Sequence, residues 1–327
     1  MKRIVDLFAG GGGMSLGFQQ AGFNIICALE KWQPAIEIYR ANFKGHPVLD
    51  LDLSNESLAI NTINQLQPEI IIGGPPCQDF SSAGKRDEKQ GRADLTVNFA
   101  NIIAACKPEY FVMENVSRAA SSQAFKKALM AFKYAGYGLT IKVLDAAYCG
   151  APQFRKRLFV IGVSGGRDES LNDYLESGLA TKPMTLREYF GDQLNFTHYY
   201  RHPRSYARRG IFSIDEPSPT IRGVNRPIPK GYPGHSGDPI PSSENIRSLT
   251  TQERAYIQTF PNHFILPGCK TDIEQVIGNA VPVKQAEYVA RCLARFIQNG
   301  GLQCARQTSI FQKSSRYNTE YDLNHVP

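Results

Sequence analysis

What the chain lacks narrows the field first. Its seven cysteines, at positions 27, 77, 106, 149, 269, 292 and 304, include no CxxC pair. An odd, scattered set leads us to expect neither a disulfide scaffold nor a metal cluster, and a reducing cytoplasmic setting. No apolar run approaches the ~20 residues that a membrane-spanning helix needs. In the opening Met1-Lys2-Arg3-Ile4-Val5-Asp6, two apolar residues separate a basic pair from an acid, which does not read as a signal peptide. There is no internal repeat and no low-complexity tract.

What remains is an ordinary globular balance, 42% apolar and 20% charged, which excludes a mostly disordered chain. The 327 residues suffice for two domains, or for one large α/β domain with a small satellite. The net charge of +7 is modest, but its distribution is not even. Between Arg201 and Lys230, seven basic residues face two acidic ones.

Up to residue 163 the pattern alternates between strands and helices. Ile4–Phe8, Ile25–Leu29, Ile70–Ile72, Tyr110–Met113, Thr140–Leu144 and Leu158–Val163 read as strands, with helices from Ser15 and over Ala35–Phe43. Such alternation predicts a mostly parallel, doubly wound α/β sheet with ligands beyond the carboxyl ends of its strands. Residues 164–246 are polar, turn-rich and interrupted by eight prolines between Pro203 and Pro241, so we expect a smaller, loop-rich second domain. Helical patterning returns over Thr251–Phe260 and Val283–Gln298, so 247–298 should rejoin the first domain, 1–163. Residues 299–327 read as a tail.

Four stretches sit where strands end. In the first, Phe8, Ala9, Gly10, Gly11, Gly12 and Gly13 join a strand to a helix start. The dinucleotide fingerprint G-x-G-x-x-G fails, because Ser15 and Leu16 stand where its third glycine belongs. A nucleoside ligand without a pyrophosphate suits the turn as well as NAD does. Glu30, about twenty residues on, can accept hydrogen bonds from a ribose diol, and Trp32 offers an aromatic face to a base. A tight structural turn is the plainer alternative. In the second stretch, Pro75 and Pro76 stiffen a turn that carries Cys77 past a strand end. A thiolate held there can attack an electrophilic carbon. The next residues include Gln78, Ser81 and Arg92, in a basic segment suited to closing on a polyanion. In the third, Glu114-Asn115-Val116 follows a strand, where a buried carboxyl can bond a ring nitrogen, or simply cap a helix. In the fourth, Arg155 and Arg157 alternate within Gln153–Arg157, so they share a face if extended and can meet phosphate or a carbonyl. Asn279, in a turn expected over 275–282, can bond a ligand or cap the following helix.

In this order the pieces DLFAGGGGMSLGF (6–18), GGPPCQDFS (73–81), ENV (114–116), QFRKR (153–157), RSLTTQERAYIQTFP (247–261) and QVIGNAVPV (275–283) resemble the C5-cytosine-specific DNA methyltransferases, most closely the compact bacterial modification enzymes. The resemblance spans residues 3 to about 297 and implies a Rossmann-like, S-adenosylmethionine-dependent fold without metal. It places the cofactor against Phe8–Gly13 and Pro75, with Glu30 on its ribose, Asp52 rather than Asp50 near the adenine amine, and Asn279 near the amino-acid portion. It makes Cys77 the nucleophile at cytosine C6, Glu114 the partner of N3 and the amine, and Arg157, with Arg155, the holder of the O2 side. Gln78, Ser81, Arg92, Arg201, Arg204, Arg208, Arg209, Arg222 and Arg226 become candidate contacts to duplex DNA. Glu216-Pro217-Ser218-Pro219-Thr220 also looks like a family feature. A monomer, acting beside a cognate restriction endonuclease, is expected. One departure is visible: Lys31 intervenes between the ribose acid and Trp32. An RNA methyltransferase, a silent DNA-binding regulator and a nicotinamide dehydrogenase are the competing readings.

Overall fold

The computed structural model describes residues 1–76, 95–242 and 246–301. Its centre is a seven-stranded sheet in the order β3-β2-β1-β4-β5-β8-β6. In chain order these are β1 (Arg3–Leu7), β2 (Asn24–Glu30), β3 (Val48–Asp50), β4 (Ile70–Gly73), β5 (Tyr110–Val116), β6 (Tyr137–Asp145) and β8 (Lys156–Ser164), with the two-residue β7 (Gln153–Phe154) lying outside the sheet. The first five are mutually parallel, whereas β8 runs antiparallel to both β5 and β6. The expected mostly parallel α/β sheet is therefore present, with one reversed strand near its edge.

The strands are apolar on both faces because helices cover both. Alternation still sorts the side chains. Ile4, Ile70, Ile72 and Val112 pack with Met14 and Phe18 of α1 (Gly13–Gln20). The neighbouring Val5, Leu7, Ile71, Phe111 and Met113 pack on the opposite face. There they meet α3 (Glu56–Leu66), α4 (Leu95–Cys106) and α5 (Gln123–Tyr134). A third core joins α2 (Gln33–Asn42) to the later chain, through Ile36, Ile38 and Tyr39 against Phe190, Tyr199, Phe212 and Ile277.

Residues 164–242 hold short elements, as the prolines lead one to expect: α6 (Asn172–Ser177), α7 (Leu186–Phe190), an antiparallel pair β9 (His198–Tyr200) and β10 (Ile211–Ser213), and β11 (Ser218–Pro219). Leu171 and Leu175, at the start of this stretch, pack into the same core as α10 (Val283–Gln298). Two further helices complete the chain, α8 (Thr251–Ile257) and α9 (Lys270–Asn279).

Two expectations need correcting. Glu114, Asn115 and Val116 do not follow β5; they are its last three residues, held by pairing with β8. Gln275–Asn279 is not a turn but the second half of α9, and the turn is confined to Ala280–Pro282. The expected tail lies outside the described residues from 302 onward. None of the helices among the described residues is long and apolar enough to cross a membrane.

Helix α1, which carries the glycine turn, is pinned to α10. A Cβ on Gly17 would approach the Ala286 Cβ and the Glu287 nitrogen to 2.6 Å and the Val283 carbonyl to 2.7 Å. We predict that Gly17→Ala lowers stability by about 1–3 kcal/mol, the usual cost of overpacking. Chemical denaturation of the two proteins checks this.

Candidate active site

A cleft of about 550 Å³ opens beyond the carboxyl ends of β1, β2, β4 and β5. Phe8, Ala9, Gly10, Gly11, Gly13, Glu30, Trp32, Pro75 and Asn279 all line it, together with Glu114, Arg155 and Arg157. Most of the residues expected at a cofactor, and the described ones expected at a base, thus share one cavity.

Glu30 is fixed at the end of β2 by three backbone N–H donors. Gly10 donates to Oε2 at 2.8 Å, and Lys31 and Trp32 donate to Oε1 at 2.9 Å. The insertion of Lys31 before Trp32 therefore costs nothing at Glu30, since both residues contribute an N–H to its carboxylate. Asp6 also lines the cleft and is fully buried. Its Oδ2 accepts from Ser15 at 2.6 Å, while Oδ1 has no partner among the described residues. Burial pushes its pKa from 3.8 up to about 7. An acid at the end of β2 beside an unpartnered buried carboxyl oxygen presents an acceptor-rich wall to the cleft.

The glycines earn their places by different constraints. Gly10 adopts a left-handed φ of 55° with open space where a Cβ would stand. Gly11, Gly12 and Gly13 are dictated by the protein itself: a Cβ would meet the Val276 side chain at 2.5 Å, the Phe43 ring at 2.3 Å and the Val281 carbonyl at 2.4 Å, respectively. Gly12 packs against Phe43 and does not line the cleft. Phe8, with φ 57°, holds a left-handed conformation rare for a bulky residue, a local strain placed at the cavity wall.

Glu114 is 8% exposed and accepts from Arg157, Nε to Oε1, at 2.9 Å. Gly74 passes close enough that a Cβ there would lie 3.0 Å from the carboxylate. Burial raises the Glu114 carboxyl above the ordinary range, against the opposing pull of the Arg157 and Arg155 charges. The group can thus carry a proton nearer neutrality than an exposed glutamate can.

Arg155 behaves differently from Arg157. It is 1% exposed, and its Nη1 donates to the Ile221 carbonyl at 2.8 Å while Nη2 donates to those of Gly278 and Ala280 at 2.9 Å. Gln258 Nε2 reaches the same Ala280 carbonyl at 3.0 Å, and its Oε1 accepts from Gln153 at 2.7 Å. Gln153 Oε1 in turn accepts from the Ile221 N–H at 2.8 Å. These bonds close a buried ring. They join 153–155, the segment just after β11 at Ile221, the end of α8 and the end of α9 beside Asn279. Arg155 thus spends its fork on backbone carbonyls, which gives it a positioning role between the two halves of the cleft. RSLTTQERAYIQTFP, for which sequence offered no chemistry, supplies Gln258 to this ring.

Asp52 lies beside the cleft, which Leu51 and Leu53 line. Its exposed carboxylate pairs with Lys31 at 3.1 Å and accepts from the Ser54 N–H at 2.9 Å. Asn279 Oδ1 accepts from Gln275 Nε2 at 2.9 Å. Cys77, Gln78, Ser81 and Arg92 lie outside the described residues.

A second cleft of about 530 Å³ adjoins Arg157, and its wall carries Arg201, Arg204, Arg208, Arg209 and Arg222. Arg118 and Lys156 also line it, and among the described residues no acidic one does. Neither was foreseen; Arg118 stands two residues after Val116, with no local pattern to mark it. Three of the expected arginines have protein partners, Arg222 through its Nη2 donating to the His202 carbonyl. Arg209 forms a forked pair with Glu216 and lies 4.3 Å over the Phe212 ring. Arg201, whose pKa burial lowers to about 10, donates to the Thr220 carbonyl at 2.9 Å. Arg226 does not line this cleft; it borders a smaller pocket with Arg222 and Arg254.

A seven-stranded sheet with one reversed strand, a glycine turn after β1 and an acid ending β2 define the class of S-adenosylmethionine-dependent methyltransferases. Solved structures agree on the fold: a DNA modification methyltransferase from an Escherichia coli prophage, described as putative, superposes with a TM-score of 0.66 at 22% identity, covering 91% of this chain and 100% of that one. The Dnmt2 methyltransferase of S. pombe gives 0.67 at 19%, covering 90% and 99%. The family model for C-5 cytosine-specific DNA methylases matches residues 2–295, and the chain belongs to that family. It is a DNA cytosine C5-methyltransferase, so the dehydrogenase reading falls. The type II methyltransferase M.HindV of Haemophilus influenzae is 55% identical over 295 residues, 90% of this chain and 97% of that protein. M.HgiDI of Herpetosiphon aurantiacus is 52% identical over 301 residues, 92% and 97%.

Two predictions follow from this geometry. Arg155→Ala takes a donor from the buried Ile221 and Gly278 carbonyls and one of two from Ala280, and should destabilise the fold by about 3 kcal/mol or more, read from the denaturation midpoint. Asp6 keeps its proton in the folded chain up to about pH 7, whereas an unfolded aspartate loses it near 3.8. The folded chain binds more protons across that window, so this group's contribution to stability falls as pH rises through it. Asp6→Asn should flatten that fall, as seen in melting curves taken at steps between the two values.

Proposed function

We propose that this chain methylates C5 of a cytosine everted from duplex DNA, through a transient bond between Cys77 and C6, as the modification enzyme of a restriction-modification system. The observation that carries the reading is the shared cavity, in which the Glu30 clamp and the Glu114–Arg157 pair face a single space. A reacting base and a methyl donor have to meet within one such space. Relatives named as type II methyltransferases, matched over 97% of their length, support the restriction-modification setting.

Phe8, Gly10, Gly11, Glu30 and Asn279 would hold S-adenosylmethionine, which supplies an electrophilic methyl group when bound. The chain's own groups make C5 able to accept it. Cytosine C5 is a poor nucleophile until a group adds at C6, so a covalent catalyst is required. Cys77 donates its thiolate electron pair to C6. Glu114, buried and inclined to hold a proton, hydrogen-bonds N3 as negative charge develops on the ring. Arg157 holds the O2 side and keeps Glu114 oriented. After the methyl group is in place, loss of the C5 proton and departure of the thiolate restore the aromatic ring. The target atom is stacked in the duplex, so the base must be drawn out, at a cost of a few kcal/mol. The acid-free arginine cleft next to Arg157 offers counter-charges to the phosphates around the gap. A monomer suffices for this task.

Cys77→Ala should abolish methyl transfer from a tritiated donor while S-adenosylhomocysteine still binds, and turnover in that variant would contradict the covalent route. Glu114→Gln should slow single-turnover methylation by two orders of magnitude or more, with DNA affinity altered far less. Equal losses in both would argue against its role at N3.

A further inference from the structure

Side chains alternate along residues 153–157. Gln153 and Arg155 are buried in the hydrogen-bonded ring, and Arg157 reaches Glu114. The residues between them point the other way. Phe154 is 43% exposed and Lys156 is exposed. An exposed aromatic residue is by itself ordinary. The surroundings of this one are not. On one side it borders a depression of about 610 Å³ with Tyr148, Lys156, Arg157 and the acidic Asp145. On the other it borders a second, of about 320 Å³, with Arg201, Arg208 and Arg209. The ring therefore divides an arginine-lined hollow from one in which Lys156 and Arg157 outnumber the single acid, Asp145, and it stands three residues from the arginine assigned to the base.

Its backbone is rigid. Phe154 pairs with Pro219 of β11, and its carbonyl accepts from Thr220 Oγ1 at 2.7 Å. The buried ring described above lies directly beneath. A stiffly mounted aromatic face between cations is the arrangement that binds unstacked nucleotides, the face packing on base or sugar and the cations on phosphate.

We propose that Phe154 and Lys156 form a second binding face on the strand whose inner face carries Arg155 and Arg157. That outer face grips the nucleotide adjoining the reacting cytosine, Phe154 packing on its sugar and base and Lys156 pairing with its phosphate. Charge complementarity selects the occupant, since arginine and lysine flank the ring on both sides. The proposal rests on base eversion only for the identity of the nucleotide gripped.

The test uses the full chain and a duplex carrying the cytosine word that bisulfite sequencing of plasmid from expressing cells identifies. Phe154→Ala should weaken equilibrium DNA binding on the order of tenfold. Its S-adenosylhomocysteine affinity and melting temperature should stay unchanged, because the ring is exposed. Phe154→Tyr should restore wild-type DNA affinity. Lys156→Ala should reduce the slope of log affinity against log salt by about one. DNA binding within twofold of wild type in Phe154→Ala overturns the proposal, and so does a loss that Phe154→Tyr fails to restore. If Phe154→Ala loses cofactor binding and so fails to fold, benzoylphenylalanine placed at position 154 decides. Photocrosslinking to the strand that carries the cytosine upholds the contact, and no DNA adduct overturns it. These are binding readouts, so they stand apart from the covalent chemistry, which the Cys77→Ala turnover measurement tests.

Discussion

Everything at the cleft depends on a guanidinium that never reaches the solvent. Arg155 is held between the Ile221, Gly278 and Ala280 carbonyls, and Gln153 and Gln258 complete the circuit. Burying a cation carries a penalty of several kcal/mol unless its donors are satisfied. Here the carbonyls that receive its two Nη groups come from segments far apart in the chain, while its buried Nε has no partner among the described residues. The ring therefore makes the wall beside Asn279, the strap through Ser218 and the strand leading to Arg157 into one rigid piece. Glu114 and Arg157 can then be placed to a fraction of an ångström, which general acid and hydrogen-bond catalysis requires.

The same strand sorts its work by side-chain direction. Odd positions in 153–157 face inward, to the ring and to Glu114; even positions face the arginine-lined surface. A five-residue motif thus presents one set of side chains to the hydrogen-bonded ring and Glu114 and another to the arginine-lined surface, and β7 pairs with β11 beside it.

Much of this was legible in the sequence. The strands showed because buried parallel strands are continuous apolar runs, as at Ile70–Ile72, and α10 showed because its apolar stripe is regular from Val283 to Gln298. Glu30 was legible because the distance from glycine turn to ribose acid is set by one helix and one strand. β3 was not legible: three residues leave no periodicity. Nor was the α9 boundary, because the Gly-Asn of 278–279 imitates a turn, while Arg155 and Gln258, which bond the carbonyls of Ile277, Gly278 and Ala280 there, lie far away in sequence. The role of Arg155 was illegible for a related reason. Alternation put it on the same side as Arg157, but only the fold shows that the carbonyls of Ile221, Gly278 and Ala280 reach it first. Arg118 and Lys156 entered the basic cleft through the β5–β8 pairing, which no local pattern reports.

The chemical claim at the centre is that the Cys77 sulfur bonds transiently to a cytosine ring held by Glu114 and Arg157. A duplex carrying 5-fluorocytosine at the modified position tests it most directly, because fluorine at C5 blocks the final elimination. With S-adenosylmethionine present, the account predicts a protein–DNA complex that survives denaturing electrophoresis with the wild-type chain and vanishes with Cys77→Ala. A wild-type chain that methylates ordinary cytosine in that word yet never forms the stable complex would contradict it.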